Sequence, residues 1–150
     1  MKRIVIVLFL LLMVGCAKND VTLNDFIEIG TFNGYIIEEN KKGYENYDYI
    51  NTIYYAINRE NAYDIQFLEL KNDDYAKRFF ETNKEEISKL RGNNTYVKTI
   101  SLSNYSLYHL ENDTSYMLVL RSKNNIIYID ASIGYIKEIE EFLEELDIDY

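Results

Sequence analysis

A chain with one histidine, one cysteine and no tryptophan has few ways to do chemistry. His109 falls within an apolar segment, residues 105–110, where strand alternation sets it beside Tyr105 and Leu107 and opposite Ser106, Tyr108 and Leu110. A nucleophilic mechanism would join it to a serine of residues 101–106 and to Glu111 as the orienting acid. Neither G-x-S-x-G nor S-x-x-K accompanies these residues, so His109 is expected to be a partly exposed strand residue with no catalytic duty. One imidazole and one thiol do not make a zinc site. Asn72-Asp73-Asp74 and Glu111-Asn112-Asp113 offer calcium its oxygen ligands, but neither follows the D-x-[DN]-x-[DN]-G pattern. The first reads as a helix cap and the second as a hairpin turn. Glu138, Glu141 and Glu145 have helical spacing on a solvated face, whereas a glycosidase needs two carboxyls in a cleft. Gly30 and Gly34 flank a helix end and Gly92 and Gly134 stand alone, so no phosphate-cradling loop is present. No catalytic residue, metal or cofactor is expected.

Cys16 has a different chemistry, set by what precedes it. Lys2-Arg3 leads into eleven uninterrupted apolar residues, 4–14, the order of a secretory signal peptide and too short to cross a bilayer. Met13-Val14-Gly15-Cys16 then resembles the lipobox of bacterial lipoproteins, with Met13 where leucine is commonest. The resemblance implies that a signal peptidase recognises Met13, Val14 and Gly15 and cuts before Cys16, which is diacylated and becomes the mature N-terminus. Two acyl chains anchor stably where one binds marginally, because each buried methylene contributes roughly 0.8 kcal/mol. The expected partner of Cys16 is therefore the lipid bilayer, at the extracytoplasmic face of the cell membrane. Ala17 is also compatible with sorting to an outer membrane. The expected division is a signal peptide over 1–15, a lipidated N-terminus and short tether over 16–22, and one globular domain over 23–150.

Loss of Lys2 and Arg3 with the signal takes the 16 basic residues to 14 against 25 acidic ones, a formal charge of −11 rather than −9. Such a balance argues against nucleic acid and against an anionic lipid surface, both of which select basic patches. No second cysteine exists to form an intramolecular disulfide, and acylation removes the thiol from catalysis, so stability must come from packing. The 15 tyrosines accompany an excess of Asn, Ile and Lys and no proline, a compositional bias that weakens tyrosine count as a functional signal.

Thr22 followed by Asp25 predicts a helix start, with Leu23, Phe26, Ile27 and Phe32 as its apolar stripe and Gly34 as its stop. Residues 35–38 form a strand candidate and residues 40–48 a loop. A hairpin follows, 52–57 and 63–70, turning at Asn58-Arg59-Glu60-Asn61. Asn72 caps a second helix with Tyr75, Ala76, Phe79, Phe80, Ile87 and Leu90 largely on one side, ending at Gly92. Four strand-like segments, 96–102, 105–110, 115–121 and 126–130, precede a last amphipathic helix over residues 133–146. The pattern predicts an α+β fold, an antiparallel, meander-like sheet of six to seven strands with helices packed on one face. Tyr49-Ile50-Asn51-Thr52-Ile53 and Tyr96-Val97-Lys98-Thr99-Ile100 share a pattern, a candidate internal duplication.

Gly34-Tyr35 and the D-Y-A-x-x-F-F-x-x-N helix from Asp74 to Asn83 resemble small lipoproteins of low-GC Gram-positive bacteria across most of residues 22–146. The resemblance implies location and fold and carries no activity with it. The functional expectation is a non-enzymatic, acidic envelope lipoprotein whose partner is an envelope protein or peptide, a basic one suiting its charge. Its expected contact surface is an uncovered sheet face bearing Tyr54, Tyr108 or Tyr128. The alternatives are a wall- or carbohydrate-directed hydrolase, which requires a pocket with converging carboxylates or His109, and a small-ligand-binding lipoprotein.

Overall fold

Thr22 opens the first helix as its spacing suggests. Its hydroxyl accepts from the Asp25 amide at 3.2 Å and donates to the Asp25 carboxylate at 2.6 Å. The computed structural model describes residues 20–148, so the whole signal region and Cys16 lie outside the described residues. Helix α1, Leu23–Phe32, closes where Gly34 takes a φ of 77° and the Tyr35 amide returns to the Gly30 carbonyl at 2.9 Å, a left-handed cap that favours glycine. Phe26 is the apolar anchor of α1. Phe32, expected on the same stripe, is 82 % exposed, because six residues on from Phe26 it stands about 120° around the helix from that anchor.

Strands β1 (Ile36–Glu39), β2 (Ile50–Ile57) and β3 (Asp64–Leu70) form a meander. The β2–β3 turn is held by Asn58, whose side-chain oxygen accepts from the Ala62 amide at 2.7 Å, with Asn61 at a φ of 54°. Helix α2, Asp73–Ser88, starts on the Asn72 cap, which accepts from the Tyr75 amide at 3.1 Å. Strands β4 (Tyr96–Ser101), β5 (Tyr105–Glu111), β6 (Ser115–Ser122) and β7 (Asn125–Ser132) form a second meander, and a 3₁₀ turn, Ile133–Tyr135, leads into α3, Ile136–Glu145.

The seven strands make one antiparallel sheet in the order β1-β2-β3-β7-β6-β5-β4. The α+β class and the strand number follow the sequence reading. The placement of the helices does not. Phe26 of α1 and Ile139, Phe142 and Leu143 of α3 pack on one face, over Ile65, Phe67, Leu118, Leu120 and Ile127. Ala76, Phe80 and Ile87 of α2 pack on the other, over Leu68, Tyr108, Leu110, Val119 and Ile126. Helices thus cover both faces. Phe26 meets Phe67 at 5.5 Å and Phe142 at 5.6 Å, and a buried ring of this size contributes roughly 2–3 kcal/mol.

The two echoing pentapeptides occupy non-equivalent places. Tyr49 leads into β2, an inner strand, whereas Tyr96 begins β4, an edge strand, so the echo does not mark matching units of the sheet. The boundary expected at residue 23 also moves, since Val21 is 4 % exposed and belongs to the core on the α1 side. Its amide donates to Ser122 Oγ at 3.3 Å, its carbonyl accepts from Asn125 Nδ2 at 2.9 Å, and Asp20 pairs with Lys123. The start of the domain is thereby clamped to the β6–β7 turn.

Candidate ligand-binding groove

The loop between β1 and β2 is polar in sequence but closely built. Asn40 accepts from the Lys42 amide at 2.9 Å, Gly43 takes a φ of 89° and donates its amide to the Glu45 carboxylate at 2.8 Å. Successive turns close from Tyr44 to Lys41 at 2.8 Å and from Tyr47 to Tyr44 at 3.0 Å. The Lys41 ammonium donates to the Ile50 carbonyl at 3.1 Å. These bonds bring Tyr44, Tyr47 and Tyr49 together, with ring centroids 5.9 Å apart for the first pair and 5.5 Å for the second.

Helix α2 supplies the opposite wall. Tyr75, Arg78, Phe79, Thr82 and Asn83 recur at three- and four-residue steps, one face of the helix. Tyr75 stacks on Tyr49 with centroids 5.2 Å apart and planes 9° from parallel. Between loop and helix lies a groove of about 390 Å³. Tyr44, Tyr49 and Tyr75 are half-buried, and Tyr47 is 45 % exposed. Burial, then the nearby Asp64, raises the Tyr44 phenol; burial, then Tyr47 and Asp48, raises that of Tyr49. Both phenols therefore stay protonated well above neutral pH, and the Tyr44 hydroxyl donates to the Gln66 side-chain oxygen at 3.4 Å. Arg78 enters no ion pair among the described residues. The Arg78 guanidinium adds a cation, so the groove can stack a ring, hydrogen-bond its rim and hold an anion.

A second cleft, of about 260 Å³, lies at the opposite end of the sheet between Gly34, Arg59 and α3. Tyr35 and Tyr63 share a 2.6 Å hydroxyl–hydroxyl contact, and Tyr63 donates to Glu138 at 3.2 Å. Burial lifts both phenols, with Glu138 adding to the effect, so neither is a base near neutral pH. Glu138 and Glu141 both line this cleft, and Arg59 closes one side by donating to the Gly34 carbonyl at 3.0 Å. Glu138, Glu141 and Glu145 are all exposed, the solvated face that their helical spacing predicts, and Glu145 also accepts from the Asn33 amide group at 2.7 Å.

His109 keeps the side of the sheet that alternation assigned to it, beside Tyr105 and Leu107, but it is 2 % exposed rather than partly exposed. It lies between Tyr96, at 5.7 Å, and Tyr116, at 4.5 Å. Burial, then the Lys98 charge, lowers its pKa to about 4, so it is neutral at physiological pH. Ser106, one of the serines of residues 101–106 that a nucleophilic mechanism would draw on, stands on the opposite face, as alternation predicts, and is bonded by Arg121 at 3.2 Å. Among the described residues no group of three or more potential metal ligands assembles. Asn72 caps α2, Asp73 pairs with Arg121 and Lys77, and Asn112 accepts from Thr114 and Ser115 within its turn.

The three tyrosines expected on an open sheet face are divided. Tyr54 lies on the α1 and α3 side and donates to Glu39 at 3.1 Å, whereas Tyr108 and Tyr128 lie on the α2 side. Tyr108 is 1 % exposed and accepts from Arg91 at 3.0 Å. No uncovered face presents them, because α2 crosses the side on which two of them stand. Comparison with protein families, curated proteins and solved structures finds no match to this chain.

Proposed function

We propose that the chain is a lipid-anchored, non-enzymatic binding module of the cell envelope, held to the extracytoplasmic face of the membrane through Cys16, with the tyrosine groove as its ligand site. The groove carries this reading: four tyrosines from two separate elements converge on one concave surface with an arginine beside them. The anchoring half rests on the Met13-Val14-Gly15-Cys16 sequence, which lies outside the described residues. Contacts from Val21 through Ser122 and Asn125, then Asn124 to Leu70 and Lys71 to Tyr49, join the N-terminal clamp to the groove's end of the sheet. Val21 is five chain steps on from Cys16, a span of at most about 18 Å. On this reading the groove opens near the bilayer.

Replacing Cys16→Ser is expected to abolish incorporation of a labelled fatty acid and to release the protein from membranes or stall it as precursor. Unchanged membrane retention would sink the anchoring. The binding half is tested by capture from solubilised envelope with the native chain and with a Tyr47→Ala, Tyr75→Ala double variant. Material held by the native chain and lost from the variant supports the groove; equal retention overturns it. A second reading, a wall- or carbohydrate-directed hydrolase, draws on the far cleft where Glu138 and Glu141 line one space. Turnover of captured glycan that disappears in Glu138→Gln would favour that reading.

A further inference from the structure

We infer that the groove takes an acidic saccharide, a sugar ring bearing a carboxylate or phosphate, stacked against Tyr47 and Tyr75 with its anionic substituent on Arg78. This rests on the binding-module reading and specifies its ligand.

The lining chooses among ligand classes. The lining holds no Leu, Ile or Val, and Phe79 is its one ring without a hydroxyl, so its apolar surface consists of flat aromatic faces edged by hydroxyls. Sugars present a patch of C–H groups on one face and hydroxyls around the rim, and tyrosine matches both, with a flat apolar ring ending in a donor. Thr82 and the Asn83 side chain, whose amide nitrogen donates to the Phe79 carbonyl at 2.8 Å, add short polar groups one turn beyond Arg78 and Phe79. The aromatic wall is also fixed before any ligand arrives. Tyr49 and Tyr75 brace each other, and the loop is held by its own turns, so little ordering cost falls on binding.

Charge selects the acidic sugars. The residues lining the groove include no carboxylate, although the chain has 25 acidic residues. Of the acids nearby, Asp48 pairs with Lys71 at 3.6 Å, Glu45 accepts from the Gly43 amide at 2.8 Å, and Asp64 stands near Tyr44 but outside the lining. Asp73 is occupied by Arg121 and by Lys77 at 2.6 Å. Arg78 is left as the cation of the lining, and a guanidinium pairs two-pronged with a carboxylate or phosphate.

The test uses the full chain in detergent and isothermal titration calorimetry with three probes. They are the disaccharide of N-acetylglucosamine and N-acetylmuramic acid, which carries a carboxylate; N,N′-diacetylchitobiose (chitobiose below), its neutral counterpart; and N-acetylglucosamine 6-phosphate. At least one acidic sugar is expected to bind fivefold or more tighter than chitobiose, and comparing the carboxylate with the phosphate identifies which group Arg78 prefers. Tyr47→Ala should weaken binding tenfold or more. Because Tyr47 is 45 % exposed and packs only on Tyr44 and Tyr49 among the ring contacts of the described residues, its loss should lower the thermal unfolding midpoint by no more than a few degrees. Arg78→Gln should abolish the preference for acidic over neutral sugar. No binding by any probe, equal affinity for acidic and neutral sugars, or indifference to both substitutions would each overturn the inference. If the sugars fail while groove-dependent capture from envelope persists, the ligand class is wrong and the binding module stands.

Discussion

Acidification from pH 7 to pH 4 is expected to destabilise the native chain through His109, and a His109→Gln variant is expected to lose that part of the slope. The histidine is 2 % exposed, and burial followed by the Lys98 charge takes its pKa from 6.5 to about 4. In the unfolded chain it titrates near its ordinary value. Between these two pH values the unfolded state therefore holds a proton that the folded state does not, and stability falls as pH falls through that window. The full difference corresponds to at most about 3 kcal/mol, a large share of a small domain's stability. Glu140 works in the opposite sense. Burial, then Glu111 and Glu144, raises its pKa, so its protonation relieves repulsion in the folded state as the solution is acidified. Urea unfolding of both proteins at pH 7 and pH 4 isolates the histidine, because Glu140 is common to both. Identical pH slopes would show that His109 does not remain neutral inside the sheet.

Asp73→Ala is expected to cost about 3 kcal/mol, more than a surface ion pair could, because it strips a buried cation of its partner. Arg121 is 2 % exposed on the α2 side of β6. It donates to Asp73 at 2.5 Å, to Ser106 Oγ at 3.2 Å, and to the carbonyls of Leu102 and Ser103 at 3.3 and 3.1 Å. One side chain thus ties the start of α2 to the β4–β5 turn. Asp73 is 42 % exposed, so water offsets part of the loss, which sets the figure at the lower end for such pairs. Arg121→Met keeps the apolar stem and removes the charge, and in combination with Asp73→Ala it should cost clearly less than the two single changes summed. A coupling of about 1–3 kcal/mol is expected from the double-mutant cycle by urea unfolding. Simple additivity would mean that the pair is incidental to stability.

Local signals were legible from the chain alone. Thr22 with Asp25, Asn72 at the head of α2 and Gly34 after α1 each name a helix boundary through a hydrogen bond or a backbone angle that only a few residue types supply. Alternation in residues 105–110 assigned His109 to its side of the sheet. One signal of two-sided burial was also present. Met117-Leu118-Val119-Leu120 is a continuous apolar run, and such a run fits a strand covered on both faces better than one with a wet side.

The burial of Arg121 was not legible. It reads as the polar end of a strand, and only α2, which begins 48 residues earlier and crosses over it, makes it a buried tie. The groove was hidden in the same way. Tyr44, Tyr47 and Tyr49 sit in a lysine- and asparagine-rich loop, where composition alone accounts for them, and they become a wall only where Tyr75 stacks on Tyr49.

What the amino-acid sequence determined by itself is the set of elements, the starts of the first two helices and most of each apolar side, because caps, turns and periodicity act over a few residues; Phe32 and Leu90, expected on apolar stripes, are exposed, and α2 ends at Ser88 rather than at Gly92. Which face α2 covers, that His109 is dry, and that five separated residues of α2 meet three loop tyrosines were decided by the tertiary structure. Those outcomes depend on which buried surfaces meet across the sheet, and hydrophobic burial is non-directional: it says that a face must be covered without saying by what.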